Sequence, residues 1–420
     1  MSLLSKLGRR GSDAPRRTAG IQQAPLPLRP TQDTIQGASA LKIACPDPTS
    51  EDRARDSHRN RGQFLARQDM WDTLSAEVSQ ADQSCAATPA GMPIAELLCF
   101  GARADVVAAA EHALIDGAPP KDAPLMAGIE GLEEMLSEHP DNAICAITVA
   151  HAHMDIGWAW RGTDWSAQVP ARNLEAFEAH FDRARDILHP FDQSHTRSPL
   201  YQTACCALNG AGIVTGPDIS RSYEKLIDLN PLNPGPMRAL GNYLQPRWFG
   251  SHAELELEAR RTAARTHAQW GAGGYTWVMF DVLASDAEAC LQLDVGFFIE
   301  GLQDILDRFG DQHTTNILAA FCSYTLGGHR TGNPKADAVR VRIADCAHWI
   351  VRKHMTELHP LIWAHAASGF DNSLHVPSPR RFAAAGRHYA LRVIAMLFRR
   401  EIADGRRIVF TADGPVTEVS

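Results

Sequence analysis

Residues 146–162, "AITVAHAHMDIGWAWRG", decide how this chain is read. His151, His153 and Asp155 stand at alternate positions, followed by Trp158 and Trp160. On a strand, residues i, i+2 and i+4 share one face, so the three side chains could converge on one metal ion. On a helix each residue turns the direction by about 100°. His151 and Asp155 then share a face, while His153 points nearly the opposite way. The neighbours favour the helix. Asp141 and Asn142 are good capping residues just before it, and Ile144, Ile147, Met154 and Trp158 fall close to one stripe. The spacing predicts a helix over 143–160, with no metal ion shared by His151 and His153.

Composition sets the frame around that helix. The 420 residues are 45% hydrophobic and 21% charged, close to the globular average, so a sizeable core is expected. No run of 18 apolar residues occurs, which speaks against a transmembrane helix. The formal net charge of −8 argues against general nucleic-acid binding. The charge is uneven, because residues 1–30 carry Lys6, Arg9, Arg10, Arg16, Arg17 and Arg29 against Asp13 alone. "MSLLSKLGRR" is too short in its apolar part for a secretory signal. A solvated tail is expected there, with a weak membrane-surface contact as the lesser alternative. Residues 1–57 as a whole are rich in Pro, Gly, Ser, Thr, Arg and Gln and are expected to be disordered. None of the nine cysteines forms a C-x-x-C pair, and Cys99, Cys145, Cys205, Cys290, Cys322 and Cys346 sit in apolar stretches. Buried, reduced thiols in a cytoplasmic protein are the expectation.

From residue 58 onward apolar residues recur at three- and four-residue spacings. Helices are expected at 61–81, 103–115, 124–138, 143–160, 171–188, 199–209, 220–229, 236–245, 252–269, 296–309, 313–325, 335–357 and 379–400. Asn333-Pro334 and Ser378-Pro379 supply an N-cap followed by the residue type favoured at the first helical position. "WGAGGYTW" at 270–277 and "TLGGHRTGNPKAD" at 325–337 are expected to be connections between helices, the second lacking the spacing of a phosphate-binding loop. Strand signals are scarce, and only "RRIVFTADGPVTEV" looks like a hairpin, with Asp413-Gly414 at its turn. The expected class is all-α: an α-solenoid-like array of antiparallel helix pairs over 58–400 and a short C-terminal β-hairpin within 401–420.

An internal period supports the array. With Leu200 as position 1 of a 34-residue unit, Ala207 falls at 8, Tyr223 at 24 and Pro231 at 32. The next unit begins at Pro234, with Leu240-Gly241 at 7 and 8 and Ala253 at 20. This resembles the tetratricopeptide pattern over roughly residues 109–270, and more loosely over 270–400. The resemblance implies that the first helix of each unit lines a concave binding surface, chiefly through positions 5, 9 and 12. Those are Arg238, Asn242 and Gln245 in one unit; counting from Ala143 they are Ile147, His151 and Met154, with Asp155 beside them. The implied function is a non-catalytic scaffold for a protein or peptide partner, without cofactor or metal.

The opening stretch also resembles a second family. "HAHMDIGWAW" is similar to the first zinc motif of class II α-mannosidases, which would make His153 and Asp155 ligands. It resembles the start of the metallo-β-lactamase motif as well, with Ile156 where a third histidine belongs. Trp277 and Asp281, in "WVMFD", have the wrong spacing for the mannosidase nucleophile, and no later paired histidines match. A metal-dependent hydrolase using residues 151–155 is therefore the alternative, not the leading expectation. His348, His354, His359 and His365 are expected to be ordinary polar or partly buried histidines, since their spacings do not stack on one helical face.

Overall fold

The computed structural model describes residues 38–114, 125–162, 169–212, 215–328, 330–370, 376 and 378–419. They form two compact units, residues 50–255 and residues 256–419 together with 38–49. Both are helical, and the second carries a small sheet. Among the described residues no helix is long and apolar enough to cross a membrane.

In the first unit α1 (Ser50–Arg67), α2 (Trp71–Gln83), α3 (Ile94–Ala113) and α4 (Leu125–Glu138) precede the stretch quoted above. That stretch lies within α5 (Ala143–Arg161), followed by α6 (Ala171–Leu188), α7 (Pro199–Leu208), α8 (Gly216–Leu229) and α9 (Gly235–Tyr243). The sequence starts α5 where its cap stands: the Asn142 side-chain oxygen accepts from the backbone N–H of Ile144 and Cys145 at 3.0 and 3.2 Å. Every residue from Ala143 to Trp158 is buried, so the helix is covered all round and not along one stripe. α2, α3, α4, α6 and α7 supply the cover. α1 and α3 cross at bare backbone. A methyl on Gly62 would stand 2.0 Å from the Leu98 carbonyl oxygen, and one on Gly101 would stand 1.9 Å from that of Arg59.

The second unit begins inside α10 (His252–Arg265) and continues with α11 (His267–Trp270), α12 (Gly273–Ser285), α13 (Ala287–Gln292) and α14 (Val295–Arg308). α15 (Gln312–Ala320) runs into a π-helical turn, Phe321–Leu326, and α16 (Pro334–Ala344), α17 (Cys346–His354) and α18 (Pro360–Ala367) follow. α19 (Pro379–Leu397) and α20 (Arg399–Ala403) lead to the sheet. The buried Arg340 donates to the carbonyls of Thr325 and Leu326 at the π-turn's end and of Leu283 in the last turn of α12. Asn333 and Ser378 cap α16 and α19 as their spacing predicts. The sheet has strand order β1 (Leu41–Lys42), β2 (Arg406–Thr411), β3 (Gly414–Val419), with β1 parallel and β3 antiparallel to β2.

Several expectations are corrected. Disorder was expected through residue 57; residues 1–37 lie outside the described residues, but from 38 onward the chain is built in. Leu41 and Lys42 pair with Ile408 and Val409, and the Leu358 N–H donates to Ala44 at 2.8 Å. α1 already starts at Ser50, and the buried Glu51 accepts from Thr88 and the Ala90 N–H. Composition averages over such a segment and misses a few specific pairings. The helix expected at 61–81 is two helices, broken where Asp69 takes φ +55° and accepts from the Trp71 ring nitrogen at 2.7 Å. Short polar side chains tolerate that left-handed conformation, and no proline or glycine marks it. The helices expected at 252–269, 313–325 and 335–357 are each likewise divided.

"WGAGGYTW" is the largest miss. Gly271, at φ +56°, does end a helix, but α12 begins two residues later and is buried through nearly its whole length. Its glycines serve contact: a methyl on Gly274 would meet Thr266 Oγ1 at 2.4 Å. The hairpin is present, but its two loop residues are Ala412 and Asp413, with the positive φ of +104° following at Gly414.

Candidate functional site

α5 resolves the histidine question by its geometry. Asp155 faces α3, where its carboxylate accepts from Arg103 Nε at 2.9 Å, both side chains at most 7% exposed. His151, one turn earlier, lies on the same side, and burial beside Arg103 pushes its imidazole well below the ordinary range. Its Nδ1 has no hydrogen-bond partner. His153 faces α4 and α6 instead. Its Nε2 is 2.8 Å from Glu133 and its Nδ1 is 2.9 Å from His180 Nδ1.

This second cluster fixes its own protons. A carboxylate only accepts, so His153 Nε2 carries the hydrogen toward Glu133. The neutral imidazole then accepts at Nδ1, and His180 Nδ1 must donate. Burial pushes His180 down to about 4 and lowers His153 against the pull of Glu133. Glu133 is itself held below the usual carboxylate range by Arg183, whose Nε donates to it at 2.7 Å. Carboxylate, two imidazoles and guanidinium thus tie α4, α5 and α6 together. The outer nitrogen of His180 is left as an acceptor, but one too weakly basic to serve as a general base near neutral pH.

A metal reading finds no purchase in this arrangement. His153 commits both ring nitrogens, one to each neighbour, and Asp155 is held on the opposite side of the helix by Arg103. Among the described residues no group of three His, Cys, Asp or Glu is arranged to hold a metal ion. Cys99 and Cys145, nearby, are pushed up to about 11 by burial, which leaves them inert thiols at neutral pH.

The residues expected to line a binding surface do not gather on one. His151 and Asp155 are buried in the centre of the first unit, 3% and 5% exposed. Gln245 lies beyond the end of α9 and is buried; its amide donates to Asn242 Oδ1 at 3.0 Å. Arg238 and Asn242 are half-buried on α9. An open groove of this unit lies elsewhere. It has a volume of about 630 Å³ between the N-terminal end of α5, one face of α2 and the segment before α7. Asp72, His139, Asp141, His195 and Arg197 line it. Asp82 lines it too, but its carboxylate is spent on Ser198 and on the Leu200 N–H at the start of α7.

Sequence reasoning missed Arg103, Glu133 and His180, the partners that give the α5 side chains their state. They lie 20 to 52 residues away from their partners along the chain, on helices other than α5. No local spacing announces them. Compared with protein-family models, with curated proteins and with solved structures, the chain has no match.

Proposed function

We propose that the chain is a non-catalytic helical scaffold, of the kind built from tetratricopeptide-like helix pairs, that binds a protein or peptide segment. Its reactive side chains support this by being internally committed: the best catalytic candidates, His151, His153 and Asp155, are buried and neutral or ion-paired. The observation that carries the reading is the open polar groove of the first unit. Its volume of about 630 Å³ is in the range of ligand-binding clefts. Exposed Asp72 and Asp141 line it together with Arg197. Two carboxylates against one guanidinium select an extended peptide carrying a basic side chain. The buried free thiols fit a reducing, cytoplasmic setting.

The test begins with a pull-down from native cells that identifies the partner, followed by calorimetric titration. Asp72→Lys combined with Asp141→Lys is expected to weaken binding at least about tenfold, with stability changed by no more than about 0.5 kcal/mol, as for ordinary surface changes. Unchanged affinity in that variant, with a loss in Arg238→Ala or Asn242→Ala, would move the surface to α9. Unchanged affinity in all of them would reject both faces.

A further inference from the structure

Many exposed arginines of the described surface follow one rule: a carboxylate answers them. Arg61 meets Glu77, Arg67 meets Asp105, Arg260 meets Glu256 and Asp294, and Arg261 meets Glu258. The stretch from α19 to β2 departs from this rule. α19 contains four arginines and not one Asp or Glu. Arg380 and Arg381 at its start, Arg399 and Arg400 just after its end, and Arg406 and Arg407 entering β2 are all exposed. None of these six makes an ion pair among the described residues. The acids near them are few: Glu401 is already held by Arg352 at 2.7 Å, which leaves Asp404 and, opposite Arg407 across the hairpin, Glu418. α19 spans about 27 Å and turns about 100° per residue, so Arg381 and Arg392 share the side that carries Met396, while Arg380 and Arg387 are turned away from it. Met396 is 65% exposed, one helical turn beyond Arg392.

We propose that the arginine-rich end of the second unit docks on an anionic lipid bilayer through the side of α19 that carries Arg381, Arg392 and Met396. Planar guanidinium groups suit lipid phosphates. A helix free of carboxylates meets no repulsion along its length, and an exposed apolar side chain among the cations gains by entering the interfacial layer. That last feature separates the bilayer from a nucleic acid, which would take the arginines but offer Met396 nothing.

Vesicle flotation of the full-length protein tests the assignment, using phosphatidylcholine vesicles with and without phosphatidylserine. The protein is expected to float with the anionic vesicles and not with phosphatidylcholine alone, and to be released by salt. Replacing Arg380, Arg381, Arg399 and Arg400 by Gln is expected to weaken binding about tenfold or more, with an unchanged melting curve. Met396→Asp is expected to weaken it several-fold. Flotation of the four-arginine variant equal to the wild type would overturn the proposal. So would binding lost only when Arg9, Arg10, Arg16 and Arg17 are replaced. A DNA duplex bound as tightly as the vesicles, and indifferent to Met396→Asp, would reassign this surface to nucleic acid.

Discussion

Arg103 and Asp155 are both out of water, and each is tolerable there because of the other. Removing one partner leaves a buried charge without compensation. Asp155→Ala is expected to cost about 3–5 kcal/mol, read from urea unfolding. Replacing both, with Arg103→Met and Asp155→Leu, is expected to recover most of that loss. A double variant as unstable as the single one would show that packing, not charge, dominates. The imidazoles give a second expectation. His151, His153 and His180 have folded values below their ordinary 6.5, so the unfolded chain takes up their protons first. Stability is therefore full above about pH 6.5 and falls as the pH drops toward 4, where His180 itself titrates. The His180 share alone is on the order of 3 kcal/mol, and His151 and His153 add to it in the same direction. Glu133, held low by Arg183, keeps its charge through most of this window, and its own contribution is lost only further down. His180→Gln is expected to flatten the slope between about pH 7 and about pH 5, measured by denaturant titration at each. An unchanged slope would mean that this ring does not titrate there. At this scale the sequence was half legible. Helical periodicity separated His153 from His151 and Asp155, but it could not show that His153 would meet His180, because that contact depends on how α6 lies against α5.

An element scale brings out a different constraint. α5 has neighbours on every side, and α1 and α3 approach through glycines with no room for a methyl group. Gly101→Ala must push α3 away from α1, and is expected to destabilise by about 1–3 kcal/mol or more, whereas helix propensity alone would favour alanine by about 1 kcal/mol. A stabilised Gly101→Ala protein in thermal melts would mean that the crossing is looser than described. The same competition explains which elements could be read. α4 to α7 carry turn residues or caps at their borders, as Asn142 and Ser198 show, and their expected bounds match within about two residues. α12 could not be read: it is apolar all round, so it has no stripe, and its opening glycines look like a turn when they are a contact surface. The break at Asp69 was equally hidden, because its cause is a bond to the Trp71 ring and not a helix breaker.

For the whole molecule, the division inside α10 matters most. Each unit has its own buried core, and Trp71 and Trp158 report on the first while Trp277 and Trp363 report on the second. Denaturation is expected to show two transitions, and Asp155→Ala to lower only that of residues 50–255. One coincident transition that moves as a whole in that variant would show a single cooperative body. The pairing of β1 with β2 adds a matter of timing. Leu41 is laid beside Ile408, 367 residues later, so the first unit is an insertion within the second. During synthesis at about 5–20 residues per second, β1 leaves the ribosome roughly 20–70 s before its partner strand exists. Residues 50–255 can complete their core in that interval. The second unit cannot, and for most of its own making the growing chain carries a strand with nothing to pair with. A stalled ribosome or an early stop before β2 is complete would therefore leave the unit's first strand waiting for a partner that never arrives.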